Sequence, residues 1–417
     1  MNRRHFLSAL GAVGALSLLP SRSRASIGGA KNLIIVFAGG GWDTTYLFDP
    51  KPDSPYVNTG SGDWSSFGNG GLWFDPGRPS VTEFFEAYGD RTTVINGLNV
   101  PSVAHGSCTQ RILTGSRDVT RPDLAAIVGN QIGKASPMPY LDIGGAARPG
   151  ILGADMGFLG AQNQLGGLVR EDDAPRPENP RDWARYFPEE EEFDVVEAYV
   201  ARRAGREAER GALGENARRY EAYISGLHRS HDLREFEAFF AGVGNDRDFA
   251  GQARIGVEAL SYGLSRTLLL TTDGDFDTHQ NNDDQEQVYD DAFAALRGLV
   301  DTLSSTPGST ESTLLEETVV LVASEMGRTP VRNGDDGKDH WPITSCLLLG
   351  GGIQGGRILG ATDETLAARP INLSSGEPDD EGVILQPEHI HRALLELFEI
   401  DPEPWFPHAS VLEALHD

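Results

Sequence analysis

Residues 266–282 read RTLLLTTDGDFDTHQNN. Leu268, Leu269 and Leu270 form a short apolar run, and Asp273, Asp275, Asp277 and His279 follow at once. A short apolar run bounded by turn residues fits a buried strand. In open α/β sheets, ligands bind outside the carboxyl ends of the strands, where this acidic turn would lie. Carboxylate and imidazole together suit Zn²⁺, Mn²⁺ or Fe better than Ca²⁺ or Mg²⁺. Taken alone, the stretch reads equally well as an acidic surface turn, because Asp is common in turns. The choice rests on whether other strands end in matching residues.

Residues 32–39, NLIIVFAG, are a continuous apolar run rich in β-branched residues, as expected of a parallel strand covered on both faces. The run ends in Gly39-Gly40-Gly41-Trp42-Asp43-Thr44-Thr45. Glycines there let the backbone turn sharply and approach a ligand. Asp43 would stand at the strand's carboxyl end, as a ligand or as a helix-capping residue. A dinucleotide loop is excluded, since Thr44 occupies the place of the third glycine and no Gly-Lys-Ser/Thr follows.

The second strand is expected at residues 92–98. Past its end come His105, Ser107, Cys108 and Arg111. Each of the first three is a candidate nucleophile or ligand. The plainer alternatives are that Ser107 caps a helix beginning near Thr109 and that Cys108 is a small core residue. Residues 318–323, TVVLVA, form a later buried strand that ends in Ser324-Glu325-Met326-Gly327-Arg328. Asp339-His340-Trp341 then precede an apolar strand at 346–350.

Helices are expected at 81–88, 120–134, 248–264, 283–303 and 386–398, and a strand at 138–143. Residues 50–80 read as a long ordered loop, 144–183 as irregular chain, and 351–360 as a turn and hairpin. Residues 189–244 lack proline and carry apolar residues at helical spacing, which predicts two or three amphipathic helices as an insertion. Within them His228 and His231 share a face, best read as solvated. A helix before and after a parallel-type strand is the pattern of a doubly wound sheet.

The first residues read as an address. Arg3-Arg4 precede an apolar run from Ala9 to Leu19, and Ser23-Arg24-Ala25 places small residues before a cut after Ala25. This looks like a twin-arginine signal over residues 1–25. The run is too short to span a bilayer of roughly 30 Å. The expectation is export to the periplasm or beyond by the twin-arginine machinery, with no membrane span after cleavage. The formal charge is −27, from 62 acidic and 35 basic residues, which disfavours nucleic acid and anionic membranes as partners. Cys108 and Cys346 are the only cysteines, so a disulfide scaffold is excluded. One disulfide or two free buried thiols both remain open.

Side by side, the expected strand ends carry Asp43, His105, Asp277 with His279, Glu325, and Asp339 with His340. On one sheet edge such a set would hold one or two divalent ions, with Arg111 or Arg328 placed to clamp an anion.

The glycines before Asp43, the Asp-Thr-His turn at 277–279, Ser324-Glu-Met-Gly-Arg-Thr-Pro330 and Asp339-His340-Trp341 resemble DUF1501, a family of exported bacterial proteins. That family is similar to the alkaline phosphatase and sulfatase superfamily. The resemblance implies a three-layer α/β/α sandwich with a mostly parallel sheet over residues 30–417. It also implies one or two divalent ions (Zn, Mn or Ca) held by Asp43, Asp277, His279, Glu325, Asp339 and His340. Catalytic roles would fall to His105, Ser107, Arg111 and Arg328. Superfamily members place a Ser, Thr or Cys nucleophile at the start of the helix after the second strand. Counting back from Gly115 puts His105 there, with Ser107, Cys108 or Thr44 as alternatives, and the Cys-x-Pro-x-Arg core of sulfatases is missing. Two readings follow. One is an exported metal-dependent hydrolase of small or polymeric phosphate or sulfate esters. The other is a non-catalytic envelope binding or assembly protein on the same fold. A third and weaker reading, a carbohydrate-binding protein, is motivated by the Trp- and Gly-rich stretch 56–74.

Overall fold

All six residues of β1, Asn32–Phe37, are buried, because the strand lies inside an eight-stranded sheet with neighbours on both sides. The computed structural model describes residues 31–159, 165–170, 190–210, 214–244 and 247–415. The export signal expected at residues 1–25 lies outside them. The remaining strands are β2 Asp63–Phe67, β3 Gly70–Phe74, β4 Thr92–Asn99, β5 Tyr140–Asp142, β6 Met156–Phe158, β7 Thr267–Thr271, β8 Thr318–Ala323, β9 Gly327–Arg328, β10 His340–Trp341, β11 Ile343–Gly350 and β12 Arg357–Leu359. The sheet runs β12-β4-β11-β8-β1-β7-β5-β6.

β1 pairs in parallel with β7 and β8, placing Leu33 opposite Thr267 and Asn32 opposite Thr318. Successive side chains of a strand point to opposite faces. Leu33 and Ile35 enter a core shared with helices His105–Thr114, Leu124–Ile132 and Pro387–Leu397. Ile34 and Val36 enter a second core shared with helices Pro79–Tyr88, Phe249–Ser261 and Asp284–Ser305. Helices therefore cover both faces, and the fold is the expected three-layer α/β/α sandwich with a mostly parallel sheet. Each fully buried Leu, Ile or Val contributes about 1.5–3 kcal/mol.

One strand departs from the parallel rule, and the site depends on it. β11 runs antiparallel to both β4 and β8, with Ile343 opposite Asn99 and Cys346 opposite Ala323. Its beginning therefore meets the carboxyl ends of its neighbours. In an all-parallel sheet, Asp339 and His340 would lie at the far edge.

Three expectations need correction. The loop at 50–80 contains the β2–β3 hairpin, with Trp64 opposite Trp73 and Leu72 fully buried. β2 is exposed along most of its length, so apolar alternation gave no signal. Residues 357–359 are an edge strand of the main sheet, parallel to β4, rather than part of a surface hairpin. The helix expected from 120 begins at Leu124, after the Asp123 carboxylate accepts from the Ala126 amide at 2.7 Å.

The insertion contains helices Glu190–Glu209, Glu215–Leu233 and Glu237–Gly242. Arg229 pairs with Asp155 at 3.0 Å and Arg234 with Glu197 at 3.3 Å, while Phe239 and Phe240 are buried. His228 and His231 are both exposed. Cys108 and Cys346 are free and buried, so they do not pair. Among the described residues no helix is long and apolar enough to cross a membrane.

The helix Pro387–Leu397 buries His391 beside Phe406, and its Nδ1 has no partner. Burial pushes the His391 pKa down to about 4. The unfolded chain takes up this proton near pH 6.5, whereas the folded chain resists it until about 4. The group's contribution is thus fully present above 6.5 and is lost as pH falls toward 4. The change amounts to about 3 kcal/mol. Urea unfolding of wild type and His391→Gln should therefore give stability curves that converge, or cross, between pH 6.5 and 4. Parallel curves would refute this origin of the acid sensitivity.

Candidate metal centre

Four chain segments meet at the carboxyl edge of the sheet. After β1 the chain turns through Gly40 (φ +107°) and Gly41 (φ +84°), conformations that side chains rarely adopt. A Cβ on Gly40 would lie 2.2 Å from Asp275 Oδ1 and 2.6 Å from the Asp277 amide. Glycine here lets the β1 and β7 turns lie against each other. The Asp275 side chain accepts from the Asp277 amide at 3.0 Å, and Asp273 accepts from the Phe249 amide. Both shape the turn and leave Asp277 to point inward. β9 and β10 pair antiparallel, setting His340 opposite Arg328. His105 is the first residue of its helix, beyond β4.

Three imidazoles surround the Asp277 carboxylate. His340 Nε2 lies 3.1 Å from Asp277 Oδ1, and His279 Nε2 lies 3.3 Å from the same oxygen. The two Nε2 atoms are 3.0 Å apart. His105 Nε2 lies 3.4 Å from Asp277 Oδ2. Ligand atoms of His105, Asp277 and His340 all fall within 4.8 Å of one another.

The other ring nitrogens are all engaged with oxygen. His340 Nδ1 donates to the Val103 carbonyl at 2.7 Å, His279 Nδ1 faces Asp339 Oδ1 at 3.1 Å, and His105 Nδ1 faces Glu325 Oε1 at 2.8 Å. Carbonyl and carboxylate oxygens accept, so each neutral ring carries its hydrogen on Nδ1 and a bare lone pair on Nε2. All three lone pairs are directed at a carboxylate, a contact that repels unless a proton or cation lies between. The His105 Nε2 atom is buried and has no hydrogen-bond partner. Histidines that ligate metals almost always donate their other N–H to a carboxylate or carbonyl. The donor set therefore fits a divalent ion.

Charge supports the same end. Burial works to raise the Asp277 pKa, but hydrogen bonds from Arg328 and His340 outweigh it and hold the group at about 2. Asn333, and then His279, hold the Asp339 carboxyl below its ordinary range.

The sequence-derived residues fall into three groups. Asp277, His279 and His340 present inward-facing atoms, joined by His105, which had been considered for catalysis. Glu325 and Asp339, expected as ligands, stand behind His105 and His279 and fix their rings. Asp43, also expected as a ligand, lies outside the cluster. It is fully buried and pairs with Lys338 Nζ at 2.7 Å, also accepting from Asn282 Nδ2 and Thr45 Oγ1 at 2.8 Å. Arg328, expected to clamp an anion, is buried and turned inward. It donates to the carbonyls of Gly40, Gly41 and Lys338 and to Asp277 Oδ1 at 2.5 Å. Ser107 is exposed, and Arg111 is half-buried on the same helix. Among the described residues neither bonds to the cluster. Sequence reading missed Lys338, Asn282 and Gln285. Their signal was one lysine in an acidic loop and two amides at the start of an otherwise amphipathic helix.

A cleft of about 540 Å³ opens beside the cluster, lined by Gly39, Gly40, His105, Asp277 and Glu325 among others. No lysine or arginine lines it.

Zn²⁺ or Mn²⁺ should raise the melting temperature of metal-stripped protein, since an ion at 100 times its Kd adds about 2.7 kcal/mol. Asp277→Asn should abolish that rise, and Asp339→Asn should weaken affinity by about 10–100-fold. Asp43→Asn should lower the baseline melting temperature yet leave ion affinity intact. Loss of affinity in Asp43→Asn alone would refute this division of roles. Gly40→Ala should cost at least about 1–3 kcal/mol from backbone strain and reduce ion affinity as the β7 turn is displaced. A fully stable, fully metal-competent Gly40→Ala protein would contradict the close approach described above.

No curated protein matches the chain. Several solved structures resemble it. A sulfatase, PsFucS1, from Pseudoalteromonas sp. is 10% identical with a TM-score of 0.41, covering 93% of this chain and 72% of its own. An alkaline phosphatase superfamily protein from Vibrio parahaemolyticus is 12% identical with a TM-score of 0.40, covering 94% and 70%. The lipoteichoic acid synthase LtaP from Listeria monocytogenes is 8% identical with a TM-score of 0.39, covering 93% and 76%. Likenesses at this level carry no inference about activity. A family model does match, over residues 30–404, under the description "Protein of unknown function (DUF1501)", and the chain belongs to that family.

Proposed function

We propose that the chain is a metal-dependent hydrolase of phosphate or sulfate esters, small or polymeric, that acts outside the cytoplasm after twin-arginine export. The observation that carries the reading is the convergence of imidazole lone pairs on Asp277 beside an open cleft. Asp277, His279 and His340 would hold the ion, leaving a position free for substrate as catalytic sites require. When bound, the ion would act as a Lewis acid on a phosphoryl or sulfuryl oxygen.

The chain's own residues provide orientation. Asp339 and the Val103 carbonyl hold His279 and His340 with their Nε2 atoms inward. Glu325 does the same for His105 and is itself fixed by the Gly40 amide at 3.0 Å. Arg328 fixes the Asp277 carboxylate from behind without reaching the cleft. The cleft supplies no cationic side chain, so neutralising an ester anion falls to the ion. The Arg3-Arg4 pair and the small residues before position 26 support export.

A second reading, a non-catalytic envelope binding or assembly protein with a structural ion, has one observation in its favour. Neither Ser107 nor buried Cys108 bonds to the cluster.

Purified protein should contain a divalent ion and hydrolyse an aryl phosphate or aryl sulfate, with loss of activity on chelation and recovery on metal return. Bound metal without turnover across such a panel would favour the second reading. Metal-free protein whose melting ignores both chelators and divalent ions would sink both.

A further inference from the structure

We propose that His105 is the nucleophile of this site and carries the transferred group covalently on Nε2. The inference rests on the ester-hydrolase reading and adds the attacking atom.

Position carries it first. His105 and Glu325 line the cleft with Asp277, whereas His279 and His340 do not. The His105 side chain is 39% exposed, so a substrate can reach it. Glu325, 2% exposed, accepts from His105 Nδ1, from the Gly40 amide and from Ser324 Oγ at 3.1 Å. That arrangement locks the ring and leaves the lone pair on Nε2, the atom without a hydrogen-bond partner. Meanwhile Asp277 Oδ1, His279 Nε2 and His340 Nε2 already form a compact donor set with separations of 3.0 to 3.3 Å. This set does not need His105 to complete it.

The usual nucleophiles are otherwise engaged or misplaced. Cys108 is fully buried in the core behind His105. Thr44 is buried, and the Thr45 hydroxyl donates to Asp43 Oδ1. The Ser324 hydroxyl is fully buried and donates to Glu325. Ser107 is exposed and makes no described bond to the cluster.

In the first step the Nε2 electron pair forms a bond to phosphorus or sulfur as the ester P–O or S–O bond breaks. The departing alkoxide takes a proton from solvent. The imidazolium so formed keeps its Nδ1–H on the Glu325 carboxylate, which stabilises the new positive charge. In the second step water attacks the same centre, the bond to Nε2 breaks, and the pair returns to nitrogen. One proton goes to solvent, and the net reaction is hydrolysis.

The test uses the metal-loaded full chain with an aryl phosphate and an aryl sulfate, quenched in alkali. Peptide mass spectrometry should locate the group on His105, and mild acid should release it, unlike a serine or threonine ester. His105→Ala should form no adduct, and added imidazole should restore part of its hydrolysis. Should that variant fail to fold, a chiral phosphate monoester on wild type decides, because two displacements retain configuration at phosphorus. Inversion, or an adduct on another residue, overturns this assignment and leaves the hydrolase reading standing. Absence of any adduct at His105 overturns it as well. Absence of both bound metal and turnover overturns the two together.

Discussion

The guanidinium of Arg328 holds the site together. It is 1% exposed and donates to the carbonyls of Gly40, Gly41 and Lys338 and to the Asp277 carboxylate. A buried cation is tolerable only when hydrogen-bonded and paired, so its four acceptors constrain one another through it. Those acceptors belong to the turn after β1, the turn after β7 and the loop before β10. Beneath it, Lys338 pairs with Asp43, and Gln285 bridges the Asp43 amide to the Phe276 carbonyl. Two buried cations thus rivet three loops, and neither enters the cleft. Conspicuous charged residues in this chain serve the framework, while the chemistry-bearing atoms are imidazole nitrogens.

Much of the fold was legible because parallel strands covered on both faces are apolar along their whole length. The runs at 33–37, 268–270 and 318–323 needed no alternation to be read. The β2–β3 hairpin was not legible, since it carries Gly62, Gly68, Gly70 and Gly71 around an exposed strand. β12 was missed for a similar reason: three residues between glycines become a strand only because β4 offers them an edge. Strand direction was not legible either. The antiparallel course of β11 follows from its pairing with β4 and β8, which no local pattern encodes.

The site was legible as a set of residue types and obscure as a set of roles. An Asp or His at a strand end has the same local signature whether it faces inward, braces a neighbour or pairs with a lysine. Asp43 illustrates this. Its position after the glycine turn matched a ligand, yet Lys338, almost three hundred residues later, sets its role. His105 illustrates the converse, since Glu325 behind its ring and Asp277 before it are both distant in the chain.

The place of β1 in the sheet has a kinetic consequence. The first strand of the chain is completed on one side by β7 and on the other by β8, with partners such as Leu33–Thr267 and Phe37–Ala323. Contacts of such long sequence separation require closing large loops before any of them is rewarded, which slows folding. A nascent chain therefore exposes Leu33–Phe37 unpaired until residue 323 has emerged, leaving an apolar strand with two open edges. This topology makes the chain's own synthesis its period of greatest exposure to aggregation.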